Sequence, residues 1–453
     1  MNDKSIIIKE FNYIIGSENL AEPELYDGSN FNVPLKTFEQ IESFVLNNRS
    51  DENGHDDFLF LTQKGGRKIL KARNYVGVLQ TKNGTTIEIL PKIHTIGKED
   101  DDASQTKKIF LKMLSALRDS PFKISSLANL DLSRMPLLDV FINMFLDELD
   151  ILVKQGIRKG YIRERENLHT LKGKLNFNEN IKHNLIHKER FFCEYDDFNP
   201  NRPENKLIKS TLLNVHKKSK SSSTQARARR FLFIFDEIDQ SSNYEKDFAK
   251  CKHNRLVSNY EQILIWCRIF LQNKTFSSYK GNDLAFALLF PMEKIFEDFV
   301  AHELRVAPEL RKEYSIRTQK IIGRLLTDGS HKMQPDILLE KNQETIIIDT
   351  KWKIPQKDKI AQSDLYQMFA YGNHPVTKSN IKNPIKKIIL IYPATATDQE
   401  GSTYQFYNNE DDDLSLLVYY FELKNKGSWS KQKFEEALNF CYPDLVGTKS
   451  KTT

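Results

Sequence analysis

Apolar positions repeat with two periods along this chain, and the places where the period changes divide it into regions. In the first hundred residues short β-branched runs dominate. Ser5 to Lys9 reads as a short strand. Tyr75 to Gln80 and Thr85 to Leu90 flank Lys82-Asn83-Gly84, and an Asn-Gly turn between β-branched segments predicts a hairpin. Pro91 ends its second strand, because proline has no N–H to give a ladder. One helical stretch interrupts this region, from Thr37 to Asn48, with Phe38, Ile41, Phe44 and Val45 on one face. Residues 1–100 therefore read as a β-rich N-terminal domain.

Residues 96–107, GKEDDDASQTKK, lack an apolar stripe and read as a polar, solvated linker. From there to about residue 280 the period is mostly helical. Leu137, Val140, Phe141, Phe145, Leu149 and Leu152 predict a long amphipathic helix that stops near Gly156. A strand-like piece follows at Gly173 to Phe177, then helices at Asn205 to His216 and Ile263 to Phe270. The basic, serine-rich stretch 216–230 reads as a loop leading into a helix that holds Phe231 to Ile238, with phosphate contact as the alternative.

The pattern changes again near residue 281. A helix is expected from Asp283 to Arg305. After it come two apolar runs, Asp336 to Glu340 and Thr345 to Asp349, around Lys341-Asn342-Gln343-Glu344. A short helix near Asp364 to Tyr371 and strands at Ile385 to Tyr392, Thr403 to Phe406 and Leu414 to Phe421 complete the region. Pro335 suits the first residues of an edge strand. Helix, antiparallel strands, helix and strand make a mixed sheet flanked by helices. The fold class is α/β with several domains: a β-rich part at 1–100, a helical region at 101–280 and an α/β domain at 281–453.

Composition adds exclusions. Across 453 residues the formal charge is +6, which permits contact with nucleic acid but does not demand it. The four cysteines, Cys193, Cys251, Cys267 and Cys441, form no C-x-x-C and lie near no histidine pair, so zinc and a disulfide framework are not expected. Reduced thiols and the lack of an apolar leader point to a cytoplasmic protein. No apolar run approaches the ~20 residues that a membrane span needs. There is no G-x-x-x-x-G-K-[ST]; Lys64-Gly65-Gly66-Arg67-Lys68 has the letters without the spacing. Any nucleotide hydrolysis belongs to a partner.

The chemistry concentrates in QPDILLEKNQETIIIDTKWK, residues 334–353. A turn centred between Asn342 and Gln343 sets Asp336 directly opposite Asp349, with Cβ atoms roughly 4.5–5.5 Å apart. Two carboxylates so placed repel each other unless a cation lies between them. Strand alternation puts Lys351 on the face of Asp349 and turns Thr350 away. Two carboxylates and an ammonium at one strand end suit Mg²⁺, a hard ion that takes oxygen ligands and keeps several waters. The lysine can orient or deprotonate an attacking water, or stabilise charge on phosphate. A plain surface ion pair between Asp349 and Lys351 is the alternative.

This arrangement resembles the PD-(D/E)xK nuclease superfamily, which pairs a proline–aspartate on one strand with acid-x-lysine on the next. The resemblance implies three more site residues. Glu297, in PMEKIFEDFVAHELR, matches a helical glutamate that completes the metal site, and its alternative is an exposed helical acid. Gln367 and Tyr371, in DLYQMFAYG, match a supporting Q-x-x-x-Y element of the RecB-like branch, with helix packing and solvent as the alternatives. The Thr350 carbonyl is a further candidate ligand. Beyond the superfamily, the stretches ARNYVGVLQTKNGTTIEILPKI, LVKQGIRKGYIRERENLHTLKGKLNF, FFCEYDDFNPNRPENKLIKSTL, FPMEKIFEDFV, QPDILLE and IIIDTKWK are similar to McrC, the nuclease subunit of McrBC-type systems that restrict modified DNA. They span most of residues 70–372. That resemblance implies a Mg²⁺-dependent endonuclease acting on double-stranded, modified DNA, with a McrB-like AAA+ GTPase partner engaged and stimulated through the β-rich N-terminal part. The rival readings are a stand-alone RecB-like repair nuclease, and a non-catalytic adaptor that activates an NTPase ring.

Overall fold

The computed structural model describes residues 5–27, 30–48, 58–93, 99–117, 121–122, 135–251, 258–272, 284–341, 344–353, 360–373, 385–394, 401–406 and 414–423. They fall into two compact units. One comprises Met1–Arg134, Gly281–Ala285 and Leu289–Thr453; the other comprises Met135–Lys280 and Phe286–Leu288.

The first unit begins with a five-stranded sheet in which Tyr13–Ser17 is central, flanked by Asn30–Pro34 and Arg67–Ala72. The expected helix forms at Leu35–Asn47 and buries Phe38, Ile41, Phe44 and Val45. The expected hairpin pairs Tyr75–Thr81 with Thr86–Leu90. Its turn closes through Gly84 N–H to the Thr81 carbonyl (3.0 Å), and Gly84 adopts φ +86°, where a Cβ would be strained. Ser5–Lys9 runs parallel to the hairpin's second strand, and Ile6 and Ile8 are buried.

Two expectations fail before residue 307. Residues 99–107 are not linker: a helix runs from Glu99 to Ser115. Its buried residues, Thr106, Lys107, Ile109, Phe110, Leu111, Met113 and Leu114, all follow the acidic run. The helix expected from Asp283 to Arg305 is instead the strand Leu284–Pro291 followed by the helix Met292–Val306. LAFALLF has no polar side to give a helix, so it lies buried as a strand, and Pro291 stands just before the helix begins.

The rest of this unit is a six-stranded mixed sheet. Its order is Ser315–Thr318, Ile337–Lys341, Glu344–Thr350, Ile385–Pro393, Ser415–Phe421 and Ser402–Gln405. The middle strands run parallel, and the pairs at either margin are antiparallel. Ile337–Lys341 is therefore interior rather than the edge strand suggested by Pro335; Ser315–Thr318 covers it. One face of the sheet packs Leu338, Ile347, Ile388 and Leu390 against Met368 and Tyr371 of the helix Gln362–Asn373. Gly372 permits this approach, because a Cβ there would collide with Leu414. The alternate residues Ile346 and Ile348 are equally buried, and the helix Met292–Val306 packs against their strand. Burial on both faces explains the unbroken isoleucine runs.

The second unit gathers the helices Leu137–Gln155, Pro203–Lys218, Ser222–Ile234, Tyr244–Lys250 and Ser258–Gln272. The first buries its predicted stripe and is followed by Gly156 at φ +97°. The stretch 216–230 is almost wholly helical. Ser221 caps the helix Ser222–Ile234 by accepting from Thr224 N, and Arg227 pairs with Asp147 (2.5 Å). The helical reading of this region also missed a three-stranded sheet. Gly160–Leu168 pairs with Phe191–Asn199 along its whole length, and only Lys174–Leu175 of the 173–177 piece is a strand. Phe177 instead opens a helix capped by Asn176. These strands carry charge on both faces, with cross-strand pairs such as Arg163 to Glu194 (3.3 Å), so they leave no apolar alternation to read.

Candidate active site

The hairpin of Ile337–Lys341 and Glu344–Thr350 has the register expected from its sequence. Ile337 pairs with Ile348 and Lys341 with Glu344, so Asp336, one residue before the strand, lies opposite Asp349. Residues 342 and 343 of the turn lie outside the described residues. Asp349 is 1% exposed, and Asp336 is half-buried. Lys351 Nζ sits 2.5 Å from Asp349 Oδ2. The same oxygen has no well-directed hydrogen bond, so this is an ion contact rather than an aligned donor–acceptor pair.

Thr350 does not turn away. Its backbone N–H and its hydroxyl both donate to Asp336 Oδ2, each at 2.7 Å. The ladder between the two strands stops at Ile337, and the Asp336 carboxylate takes the place of the next acceptor. A valine here would keep one of these two bonds.

Glu297 is brought to the same place from the helix Met292–Val306. It is 9% exposed, so the exposed-acid alternative fails. Gln319 links it to the hairpin: its Nε2 donates to Glu297 Oε1 (2.5 Å) and to Asp336 Oδ1 (3.3 Å). Gln334 Nε2 in turn donates to the Gln319 carbonyl and Oε1, both at 2.8 Å. Tyr371 OH donates to the Gln334 carbonyl (3.3 Å), and Gln367 Nε2 donates to Tyr371 OH (2.9 Å). Gln367 and Tyr371 thus form one chain with the site, and in this chain they reach the carboxylates through Gln334 and Gln319.

Burial, then the charge of Asp336, pushes Glu297 up to about 7 and also raises Asp349. Burial pulls Lys351 downward, but the charges of Asp349, Asp336 and Asp364 outweigh it and leave its pKa raised. Crowded acids therefore hold protons more tightly, and the lysine stays an ammonium.

Among the described residues no three His, Cys, Asp or Glu side chains converge as a ready-made metal cluster. The Gln319 amide stands between Glu297 and Asp336, and the Lys351 ammonium stands on Asp349. The donors nevertheless suit a hard divalent ion: they are carboxylate oxygens, and the charge of Asp336 helps to raise the pKa of Glu297 and Asp349.

Gln319, Gln334 and Asp364 were not singled out from the sequence. Gln334 stands beside the proline–aspartate. Asp364 accepts from Tyr392 OH (2.8 Å) and pairs with Lys353 (2.6 Å), so it braces the segment that follows the strand Glu344–Thr350 and carries Lys351. Gln319 has φ +53°, and nothing in its sequence context signals that.

A family model described as McrBC 5-methylcytosine restriction system component matches residues 70–393, well over half of the chain. The chain belongs to that family, as a McrC-type member. The type IV methyl-directed restriction enzyme EcoKMcrBC of Escherichia coli strain K12 is 22% identical over 264 residues, 54% of this chain and 74% of that protein. Among solved structures, a half-complex from a tetradecameric assembly of Thermococcus gammatolerans McrB AAA+ hexamers with bound McrC matches with a TM-score of 0.65. That match has 16% identity and covers 96% of this chain and 99% of the other. A cryo-EM structure of the McrBC complex from the same organism covers 67% of this chain and 88% of its own, with 19% identity and a TM-score of 0.45. The first of these two structural likenesses concerns the fold. The family match starts at residue 70, two residues before the first of the similar stretches, which begins at Ala72. Among the described residues no helix is long and apolar enough to cross a membrane. Cys193, Cys251 and Cys267 are free thiols, and Cys441 lies outside the described residues.

Proposed function

We propose that this McrBC-family chain is the DNA-cutting subunit of its restriction system, a cytoplasmic Mg²⁺-dependent endonuclease of the PD-(D/E)xK type driven by a McrB-like AAA+ GTPase. The observation that carries this reading is the strand end at which Asp336 opposes Asp349, with the Lys351 ammonium 2.5 Å from Asp349.

Asp336 and Asp349 would hold the ion through carboxylate oxygens, with Glu297 and the Thr350 carbonyl completing its shell. The ion, when bound, supplies an acidified water and neutralises phosphate charge. The chain's own residues do the rest. Thr350 fixes Asp336 through two hydrogen bonds and so sets where its free lone pairs point. Lys351, held as an ammonium by the acids around it, stabilises the charge that builds on the phosphate oxygens; it is a poor general base in this setting. Gln319 and Gln334 set the spacing between Glu297 and Asp336, with Tyr371 behind them.

The partner assignment rests on family membership and on the missing P-loop. The β-rich part at 1–100 is its proposed contact, the helical region 101–280 a connecting domain, and 281–453 the nuclease domain. Double-stranded DNA carrying modified cytosine is the proposed substrate. Reconstitution with the AAA+ partner tests this directly. The pair is expected to cut such DNA with GTP and Mg²⁺, and the single chain is expected to leave it intact. Efficient cutting by the chain alone would favour a stand-alone nuclease. Activation of the GTPase with no cutting under any condition would favour an adaptor.

A further inference from the structure

Trp352 follows the site lysine directly, and its indole N–H is bound by an acid from the far end of the chain. Both carboxylate oxygens of Glu10 accept from Trp352 Nε1, at 3.0 and 3.2 Å. Glu10 also accepts from the backbone N–H of Lys92 (2.9 Å), and it is fully buried. A buried carboxylate costs free energy, and an apolar residue would fill the same space at lower cost. Its presence calls for a reason beyond packing.

The surroundings supply one. Trp352 is held on one side by Phe296, with ring centroids 5.4 Å apart, and Phe296 directly precedes Glu297. On another side a cavity of about 230 Å³ opens, lined by Trp352 with Phe11, Ile93 and Pro393. Packing alone therefore leaves the indole room to turn, and the hydrogen bonds to Glu10 fix it. Glu10 is itself aimed by a tight turn. Its N–H binds the Leu90 carbonyl (3.0 Å), Asn12 N–H binds the Lys9 carbonyl (3.1 Å), and Phe11 takes φ +70°. That angle at the third position of a turn normally calls for glycine or asparagine. A second tie runs the same way. Asn74 accepts from Met292 N–H (2.9 Å) and donates to Glu293 (3.0 Å), at the start of the helix that carries Glu297.

From this geometry we infer that Glu10 is a positioning residue for the nuclease site: by fixing the Trp352 indole it holds Lys351 against Asp349. The inference rests on the proposed nuclease reading and extends it. The β-rich part becomes a strut for the catalytic strand as well as the proposed motor contact.

The test uses the full chain with its AAA+ partner, GTP, Mg²⁺ and duplex DNA containing 5-methylcytosine. Four variants are compared with the wild type: Glu10→Ala, Glu10→Gln, Trp352→Phe and the double variant Glu10→Ala/Trp352→Phe. Glu10→Ala is expected to lower kcat about tenfold or more, since a small misplacement of a catalytic group is enough for that. Its KM for DNA is expected to stay within about twofold. Glu10→Gln keeps an acceptor for the indole and is expected to recover kcat to within about threefold of wild type. Trp352→Phe keeps a ring and loses the N–H; it is expected to match Glu10→Ala, and the double variant to be no worse than either single one. Wild-type kcat in Glu10→Ala, losses that multiply in the double variant, or a change confined to KM would overturn the inference. Where Glu10→Ala does not fold, Trp352→Phe carries the test, and wild-type kcat in it is the overturning result. Ca²⁺ binding by calorimetry separates this inference from the reading beneath it. Asp349→Ala is expected to lose Ca²⁺ binding and Glu10→Ala to keep it. If Asp349→Ala keeps both Ca²⁺ binding and cleavage, the nuclease reading fails. If Asp349→Ala loses both while Glu10→Ala cuts normally, only the strut fails.

Discussion

Two hairpins in this molecule bury an acid against a lysine, and they differ in what surrounds that pair. In the N-terminal hairpin Glu88 lies on the strand Thr86–Leu90, and Lys107 reaches it from the helix Glu99–Ser115 at 2.6 Å, both side chains almost fully buried. In the other hairpin Asp349 meets Lys351 two residues along its own chain, Asp336 stands close to Asp349, and Glu297 stands close to Asp336. At Glu88 a lysine from a packed helix meets a strand acid, and the ion pair helps seat the helix on the sheet. At the other hairpin the charge of Asp336 acts on two further acids, Asp349 and Glu297, and together with burial raises the pKa of both. A buried acid alone is weak evidence of function; crowded acids at a strand end are stronger evidence.

The largest effect that sharpens this contrast is on cleavage. Lys351→Ala is expected to reduce DNA cutting by about 10²–10³-fold, the scale for removing one preorganised charge-stabilising group. Its melting temperature is expected to change little, because the neighbouring acids can take up protons. Single-turnover cleavage and a thermal melt check both parts. Lys107→Ala is expected to do the reverse. It removes the ammonium from buried Glu88 and is expected to cost about 3 kcal/mol of stability by urea titration. Equal destabilisation by the two substitutions would erase the distinction between the hairpins.

A smaller effect concerns pH. Burial lifts Glu10 from an ordinary 4.5 to about 7. Between those values the folded chain holds a proton that the unfolded chain has released. The stability tied to that proton is fully present below about pH 4.5 and is lost as pH rises through about 7, by roughly 3 kcal/mol in all. Glu10→Gln is expected to flatten this part of the curve of unfolding free energy against pH; an unchanged slope would count against the assignment. Smallest of all, Thr350→Val keeps the backbone bond to Asp336 and loses the hydroxyl bond. It is expected to cost about 1 kcal/mol and to slow cleavage about tenfold.

The hairpin register was legible because period-two apolar runs on both sides of a polar turn allow one pairing, which set Asp336 opposite Asp349. The helix Leu137–Gln155 was legible from its stripe, and its end from Gly156. What was not legible depends on contacts distant in sequence. The acidic run at 99–102 looks solvated until the buried stripe from Thr106 onward is paired with a sheet to cover. Gly160–Leu168 and Phe191–Asn199 are held by their backbone ladder and by charge pairs across it, and neither leaves an apolar pattern. LAFALLF fits a buried helix as well as a buried strand, and only its partner strand, Tyr75–Thr81, decides. At the site, alternation correctly put Lys351 beside Asp349 but misplaced Thr350, because the ladder ends there and a carboxylate replaces a carbonyl. Gln319 and Glu10 gave no signal, since each gains its role from a partner far away in the chain.

The most direct test of the central claim is cleavage by Asp349→Ala within the assembled complex. With the AAA+ partner, GTP, Mg²⁺ and duplex DNA containing 5-methylcytosine, this variant is expected to assemble with the partner and stimulate its GTPase normally while cutting nothing measurable. Wild-type cutting by Asp349→Ala would contradict the account and place the chemistry elsewhere.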